Sequence, residues 1–88
     1  MEATITPEWT LTDRLAKARH TAKLSQSELG RRLGLSLSTI TRYETGSAEP
    51  KLAVILAWAM ACGVSTSWLL GLDAAPDTEA VTKGYLAA

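Results

Sequence analysis

Two pairs of helix-start and helix-stop residues follow each other closely in the first half of the chain. Ser25 and Glu28 have the spacing of a capping box, in which a hydroxyl and a carboxylate satisfy the free amides at a helix start. Gly34 suits the left-handed conformation that ends a helix, and Ser36 can cap a new helix only two residues later. Gly46 closes that second helix. These positions restrict the segment to two short helices joined by a tight turn.

The rest of the chain contains similar helix-start and helix-stop residues. Either Thr10 or Thr12 can cap a first helix, and Gly63 and Gly71 can end two later ones. Abundant Ala and Leu, the absence of Phe, and the lack of alternating Val, Ile and Thr all favour an all-α fold. The predicted helices run from Thr10 or Thr12 to about Ala22, from Ser25 to Leu33, from Ser36 to Gly46, from about Lys51 to Cys62, and from Thr66 to Leu70.

The chain of 88 residues is long enough for one compact domain. Pro7 prevents a helix from starting earlier, so residues 1–9 are expected to form an N-terminal arm that Trp9 attaches to the domain. Residues 10–72 are expected to form the domain itself. Residues 73–88 are small and acidic and are interrupted by Pro76, which predicts a C-terminal tail.

Several classes of protein fit this sequence poorly. Cys62 and His20 are the only residues of their types, so neither a metal-ligand set nor a nucleophile and base pair can be assembled. No Gly-rich phosphate loop is present. We therefore expect no enzyme activity, no cofactor and no small-molecule ligand.

The apolar segments are short. The longest run, Leu52–Cys62, has eleven residues, too few for a membrane span, and the N-terminus lacks the pattern of a signal peptide. A lone cysteine inside this run is expected to be a small buried hydrophobe. Together these features predict a cytoplasmic protein that does not bind membranes.

Charge is unevenly distributed along a chain whose formal net charge is zero. Residues 10–46 hold seven Lys and Arg residues and three Asp and Glu residues, a local net charge of +4. A basic segment of this kind suits a DNA-facing surface, and it is equally common on solvated surfaces without that role.

The two-helix segment has an apolar inner side and a polar outer side. Two short helices that cross steeply bury one set of residues between them, and Gly30 removes a side chain at the crossing. The outer face of the second helix carries short polar groups and one Arg. The predicted inner residues are Leu29, Leu33, Leu35, Ile40 and Tyr43, and the outer ones are Leu37, Ser38, Thr41 and Arg42.

With these residues in place, the sequence resembles the lambda-repressor and Cro-like helix-turn-helix family of phage and bacterial transcription regulators. The likeness covers roughly residues 11–71 and includes Val64, Ser65 and the Trp68–Leu70 segment. The residues of the helix-turn-helix pattern itself are Ser25, Gln26, Leu29, Gly30, Gly34, Ile40, Glu44, Gly46 and Pro50.

The resemblance implies a compact five-helix domain whose third helix enters the major groove of double-stranded DNA. It also implies an ion pair between Arg19 and Glu44 that ties the first helix to the third, so that Arg19, Gly34 and Glu44 have structural roles. The implied base contacts are Leu37, Ser38, Thr41 and Arg42. The implied phosphate contacts are Ser25, Gln26, Ser36, Thr39, Thr45 and Ser47.

Some of these roles have alternatives. Ser25 can cap its helix, contact a phosphate, or do both through hydroxyl and amide. Leu37 replaces a polar residue of the family pattern, so it either packs on a thymine methyl group or rests on the surface of its own domain. Arg42 can bridge O6 and N7 of guanine, and Ser38 can donate or accept a hydrogen bond.

Two functions compete. Arg42 and the local basic excess favour a transcription regulator that binds an operator. The neutral total charge and the apolar fourth helix favour a protein-interaction module, such as the antitoxin of a toxin–antitoxin pair.

The fourth helix also bears on assembly. We predict that Leu52, Ile55 and Ala59 face inward, which leaves other apolar residues of this helix to be covered by the arm, by the tail or by a second subunit. A twofold dimer would place two recognition helices about one DNA turn apart, ~34–36 Å. We therefore expect a homodimer on a pseudo-palindromic operator. The apolar residues left over are Val54, Leu56, Ala57 and Met60.

Overall fold

The computed structural model describes residues 9–72, and within that range the chain is entirely helical and contains no strand. The predicted all-α fold of five helices is confirmed. None of these helices is long and apolar enough to cross a membrane. The expectations for residues 1–8 of the arm and for the tail lie outside the described residues. The helices are α1 (Leu11–Thr21), α2 (Gln26–Leu33), α3 (Leu37–Thr45), α4 (Leu52–Cys62) and α5 (Thr66–Leu69).

Four of the five helices begin at a hydroxyl cap, as the sequence predicts. The Ser25 hydroxyl accepts from the Glu28 amide at 3.0 Å, and the Ser25 amide donates to Glu28 Oε1 at 2.7 Å. That backbone donor holds the pKa of the Glu28 carboxyl below its ordinary value. Thr10 and Asp13 form the same arrangement at the start of α1. Helix α4 differs, because its cap residue Lys51 makes no side-chain hydrogen bond.

Each helix contributes one large, fully buried side chain to the core. These five residues lie where all the helices meet, so no helix can shift without disturbing the others. The indole of Trp58 also donates a hydrogen bond to the main-chain oxygen of Leu15 at 3.1 Å, which joins α4 to α1. The five are Leu15, Leu29, Ile40, Trp58 and Leu69.

The prediction for α4 was wrong at Leu52, whose side chain is 59% exposed. Ile55 and Ala59 do face inward, together with Trp58 and Cys62. The buried row is centred on Trp58, and Leu52 lies to one side of it at the first residue of the helix. Because α4 is apolar on every side, its hydrophobic pattern did not identify the inward face.

A cluster of two tryptophans and an arginine holds the start of α1 against α5. The Arg14 guanidinium donates to the main-chain oxygen of Trp68 at 3.0 Å and lies 5.1 Å from the centre of the Trp68 ring. The Trp9 ring packs edge-on against Trp68, with 6.4 Å between the ring centres. Trp9 therefore attaches the chain to the domain at the position where the sequence suggested it.

Replacing Gly34 tests the turn between α2 and α3. Gly34 has φ +71°, and a β-carbon there would meet no atom within 4 Å, so a larger residue would be strained by its backbone and not by crowding. Gly34→Val should lower the free energy of unfolding by more than ~1 kcal/mol in urea denaturation. Gly34→Asn is the control, since Asn adopts this conformation more readily and should cost less. Equal stability of all three proteins would contradict this role for Gly34.

Candidate nucleic-acid interface

The close approach of α2 to the turn before α3 fixes where α3 begins. A β-carbon on Gly30 would lie 2.6 Å from the main-chain oxygen of Leu35, too short for any real contact. The Leu35 amide donates to the Gly30 carbonyl at 2.8 Å in the same place. The backbone of the turn thus packs directly on α2. This contact agrees with the prediction that Gly30 removes a side chain where the two helices cross.

The other end of α3 is held by an ion pair that is almost wholly buried. Arg19 Nε lies 2.7 Å from Glu44 Oε2, and Arg19 Nη2 donates to Glu44 Oε1 at 3.0 Å. The third arginine nitrogen, Nη1, donates to the main-chain oxygen of Leu24 at 3.0 Å. The hydrogen bonds that Arg19 donates to the Glu44 carboxylate raise the pKa of the Arg19 guanidinium. This fork fixes the last turn of α3 to α1.

The ion pair continues into a chain of hydrogen bonds along α2 and α3. Gln26 Nε2 donates to Glu44 Oε1 at 3.0 Å, and the Thr41 hydroxyl donates to Gln26 Oε1 at 3.0 Å. The family resemblance implied that Gln26 faces DNA, and it gave no sign of this link to Thr41. The amide of Gln26 therefore connects the anchor of α3 to its middle.

The outer face of α3 brings the four predicted base-contact residues together. Leu37 is 51% exposed, Ser38 and Arg42 are exposed, and Thr41 is half-buried. Residues four apart lie above one another on a helix, so Leu37 and Thr41 form one row while Ser38 and Arg42 form the next. One row therefore begins with an apolar residue, Leu37, and the other row contains only polar residues.

The predicted phosphate-contact hydroxyls also stabilise helix ends. Ser36 Oγ accepts from the Thr39 amide at 3.2 Å and lies 2.9 Å from Thr39 Oγ1. Thr45 Oγ1 donates to the main-chain oxygen of Thr41 at 2.9 Å, with Ser47 Oγ 3.4 Å away. Ser25 caps α2, which confirms the capping role that the sequence analysis considered for it. A phosphate contact for any of them stays a prediction.

The basic residues of the segment divide into two groups. Arg14 and Arg19 are buried and bound to other parts of the domain. The other five remain exposed, so the positive charge available to a polyanion is smaller than the sequence count suggests. These five are Lys17, Lys23, Arg31, Arg32 and Arg42.

A family model described as helix-turn-helix matches residues 15–69 of this chain. That match spans the ion pair, the tight turn and the whole of α3. The chain belongs to the helix-turn-helix family of the lambda-repressor and Cro kind.

Two known proteins resemble this helix-turn-helix chain. A Haemophilus influenzae protein named as an uncharacterized HTH-type transcriptional regulator is 44% identical over 43 residues, which are 49% of this chain and 18% of that protein. The chain thus matches less than a fifth of that relative. The crystal structure of the P22 c2 repressor protein in complex with the synthetic operator 9T superposes with a TM-score of 0.67 and 29% identity, covering 75% of this chain and 100% of that one.

The other residues of this helix-turn-helix protein that could bind a metal ion or act as a nucleophile are dispersed or buried. Within residues 9–72, no three His, Cys, Asp or Glu side chains are grouped closely enough to hold a metal ion. Cys62 lies in the core, and burial raises the pKa of its thiol. A buried neutral thiol of this kind acts as a small apolar side chain.

Proposed function

We propose that this protein binds double-stranded DNA in a sequence-specific manner through α3 and thereby regulates transcription. The main support is the contrast between the two sides of α3. Its inner side is fixed by Ile40 in the core and by the Arg19–Glu44 ion pair, whereas its outer side is exposed. A short helix held rigidly with a polar outer face suits insertion into the major groove.

Arg42 is the residue that distinguishes one base pair from another in this proposal. Its exposed guanidinium is the sole charged group on the outer face of α3, in the same row as Ser38. A guanidinium can donate two hydrogen bonds to O6 and N7 of guanine, a pattern that only a G·C pair presents in the major groove. Leu37 supplies apolar contact beside it.

The ends of α2 and α3 are proposed to hold the phosphates on either side of the groove. Backbone amides at a helix start attract anions, and Gln26 stands at the start of α2 beside Ser25, whose own amide donates to Glu28. Ser36 and Thr39 stand at the start of α3, while Thr45 and Ser47 follow its end. Contacts at both ends would fix the orientation of α3 without reading the sequence.

Arg42→Ala tests the role of α3. A duplex is first selected from a randomised double-stranded library with the wild-type protein, and affinities are then measured by fluorescence anisotropy. The variant should bind that duplex about 5- to 150-fold more weakly, a loss of roughly 1–3 kcal/mol, and should lose its preference at one base pair. Arg32→Ala, which removes an exposed charge from α2, is the control and should weaken binding to all duplexes alike. If Arg42→Ala also weakened all duplexes equally, Arg42 would be a phosphate contact.

We further propose that the protein is a homodimer that buries the outer side of α4. Leu52, Leu56 and Met60 follow one another at four-residue intervals and are 59%, 43% and 82% exposed; we call them the α4 stripe. No residue of α4 is charged. A shallow apolar pocket of about 170 Å³ lies beside the stripe. It is lined by Leu33, Leu35, Ala53, Val54 and Ala57.

The ends of α4 make a second copy the best-suited partner for this stripe. Lys51 places a positive charge at the positive end of the helix dipole, and the last turn holds no basic residue. Two α4 helices packed antiparallel about a twofold axis would bring each Lys51 beside the C-terminal carbonyl groups of its partner. The Lys51 charge of each copy would then offset the negative end of the α4 dipole of the other copy.

Leu56→Glu tests the dimer by sedimentation equilibrium of the free protein at micromolar concentrations. The wild type should sediment as a dimer, and the variant as a monomer, because two carboxylates would be buried at the twofold axis. Ser38→Glu adds the same charge on the exposed face of α3 and should remain a dimer. A wild-type monomer at every concentration would contradict the proposal and leave the arm or the tail to cover the stripe.

A further inference from the structure

The hydroxyl of Thr41 is already occupied inside the protein. A carboxylate only accepts hydrogen bonds, so the amide of Gln26 must turn its NH₂ group toward Glu44, 3.0 Å away. Its carbonyl oxygen is thereby left facing Thr41, whose hydroxyl lies 3.0 Å from it. A hydroxyl has one proton to donate, and that of Thr41 is donated to Gln26.

This arrangement is held firmly because Glu44 cannot turn away. Both of its oxygens accept from Arg19, at 2.7 and 3.0 Å, and its side chain is 5% exposed. The orientation of the Gln26 amide is therefore set by a buried ion pair. The conformation of Thr41 is set in turn by that amide.

Because its proton is donated to α2, the Thr41 hydroxyl has no proton left for a base, and the γ-methyl group is the other part of this half-buried side chain that a ligand of the outer face can contact. Leu37, one turn earlier in the same row, is 51% exposed and apolar. We propose that Thr41 determines specificity through this methyl group, and that Thr41 and Leu37 together contact the C5-methyl groups of thymine. Gln26 acts as a positioning residue for Thr41. This inference rests on the proposed DNA binding, and it names thymine because that base carries the methyl group in the major groove.

Two substitutions of Thr41 separate the role of its methyl group from that of its hydroxyl: valine keeps the methyl group, and serine keeps the hydroxyl. In the duplex selected by the wild type, each thymine is replaced in turn by deoxyuridine, which removes only the methyl group. The wild type should lose roughly fourfold in affinity at one or more positions, the effect of burying one methyl group. Thr41→Val should keep this preference for thymine over uracil at the position read by Thr41, because valine has a methyl group at both γ positions and needs no hydrogen bond to present one. Thr41→Ser should bind the two duplexes equally there.

Gln26→Leu tests the positioning role with the same readout. The variant keeps a side chain of similar size but cannot hold the Thr41 hydroxyl, so its ratio of thymine to uracil affinity should fall at that position. A purely structural role would lower the affinity for both duplexes and leave the ratio unchanged. Circular dichroism of each variant confirms that the helices are intact.

Two results would overturn the inference while leaving the proposed function in place. One is a wild-type protein that selects a duplex but binds thymine and uracil equally at every position. The other is a preference for thymine that Thr41→Ser retains at every position, which would show that the methyl group of Thr41 does not read the thymine methyl group. A protein that selects no duplex at all would overturn the proposed function itself, and this inference with it.

Discussion

Replacing Glu44 with Ala is expected to lower the free energy of unfolding by about 3–5 kcal/mol. The substitution leaves the Arg19 guanidinium in a nearly closed site, where its remaining partners are the Leu24 carbonyl and the ring of His20. It also removes the acceptor of the Gln26 amide. Since small domains are stable by only ~5–15 kcal/mol, this loss is a large part of the total.

Urea denaturation followed by circular dichroism measures the effect of Glu44→Ala. The matched control is the double variant Arg19→Met with Glu44→Leu, which removes both charges and fills their space with apolar groups. It should recover most of the lost stability, because no unpaired charge stays buried. A single variant less than ~1 kcal/mol below the wild type would show that Arg19 finds water or another partner.

Trp58→Ala is the second substitution with a large expected effect. Trp58 is fully buried at the point where the five helices meet, so its loss leaves a cavity that the neighbouring side chains only partly fill. The free energy of unfolding should fall by about 3–5 kcal/mol, and the melting temperature by more than ~10 °C.

Trp58→Phe separates packing from hydrogen bonding at this site. Phenylalanine keeps an aromatic ring in the core but loses the indole N–H that donates to Leu15. Its cost should be about 1–2 kcal/mol, well below that of Trp58→Ala. Equal losses for both variants would indicate that the parts of the indole that phenylalanine lacks, its N–H group and its second ring, account for the contribution of Trp58.

The helix ends were predictable because their causes are local. Hydroxyl caps and glycines act on amides and carbonyls a few residues away, and the bounds from the sequence differ from the observed ones by at most one residue. Helix α5, for example, ends at Leu69 with Leu70 as its cap, where the sequence suggested an end at Leu70.

The orientation of α4 was not predictable in the same way. An amphipathic helix identifies its inward face through its polar residues, and α4 has none between Leu52 and Cys62. The inward face is settled by contacts with other helices, among them the burial of Trp58 in the core and its hydrogen bond to α1. Leu52 was therefore placed on the wrong side.

The interface was partly predictable. The Arg19–Glu44 pair followed from the family resemblance, since 25 residues separate its members in sequence and no periodic pattern connects them. The link between Gln26 and Thr41 was missed. Both are polar residues common on helix surfaces, so nothing in the sequence distinguishes this hydrogen-bonded pair from two solvated side chains.

Recognition of a particular DNA sequence by this protein can be tested by a single titration. Fluorescence anisotropy compares the duplex selected from a random library with a shuffled duplex of the same composition, each at several salt concentrations. We predict that the selected duplex binds at least ~10³-fold more tightly. Both affinities should fall as salt rises, because phosphate contacts release counterions. Equal affinity for the two duplexes, or no binding to either, would rule out sequence-specific DNA binding and favour a protein-interaction module.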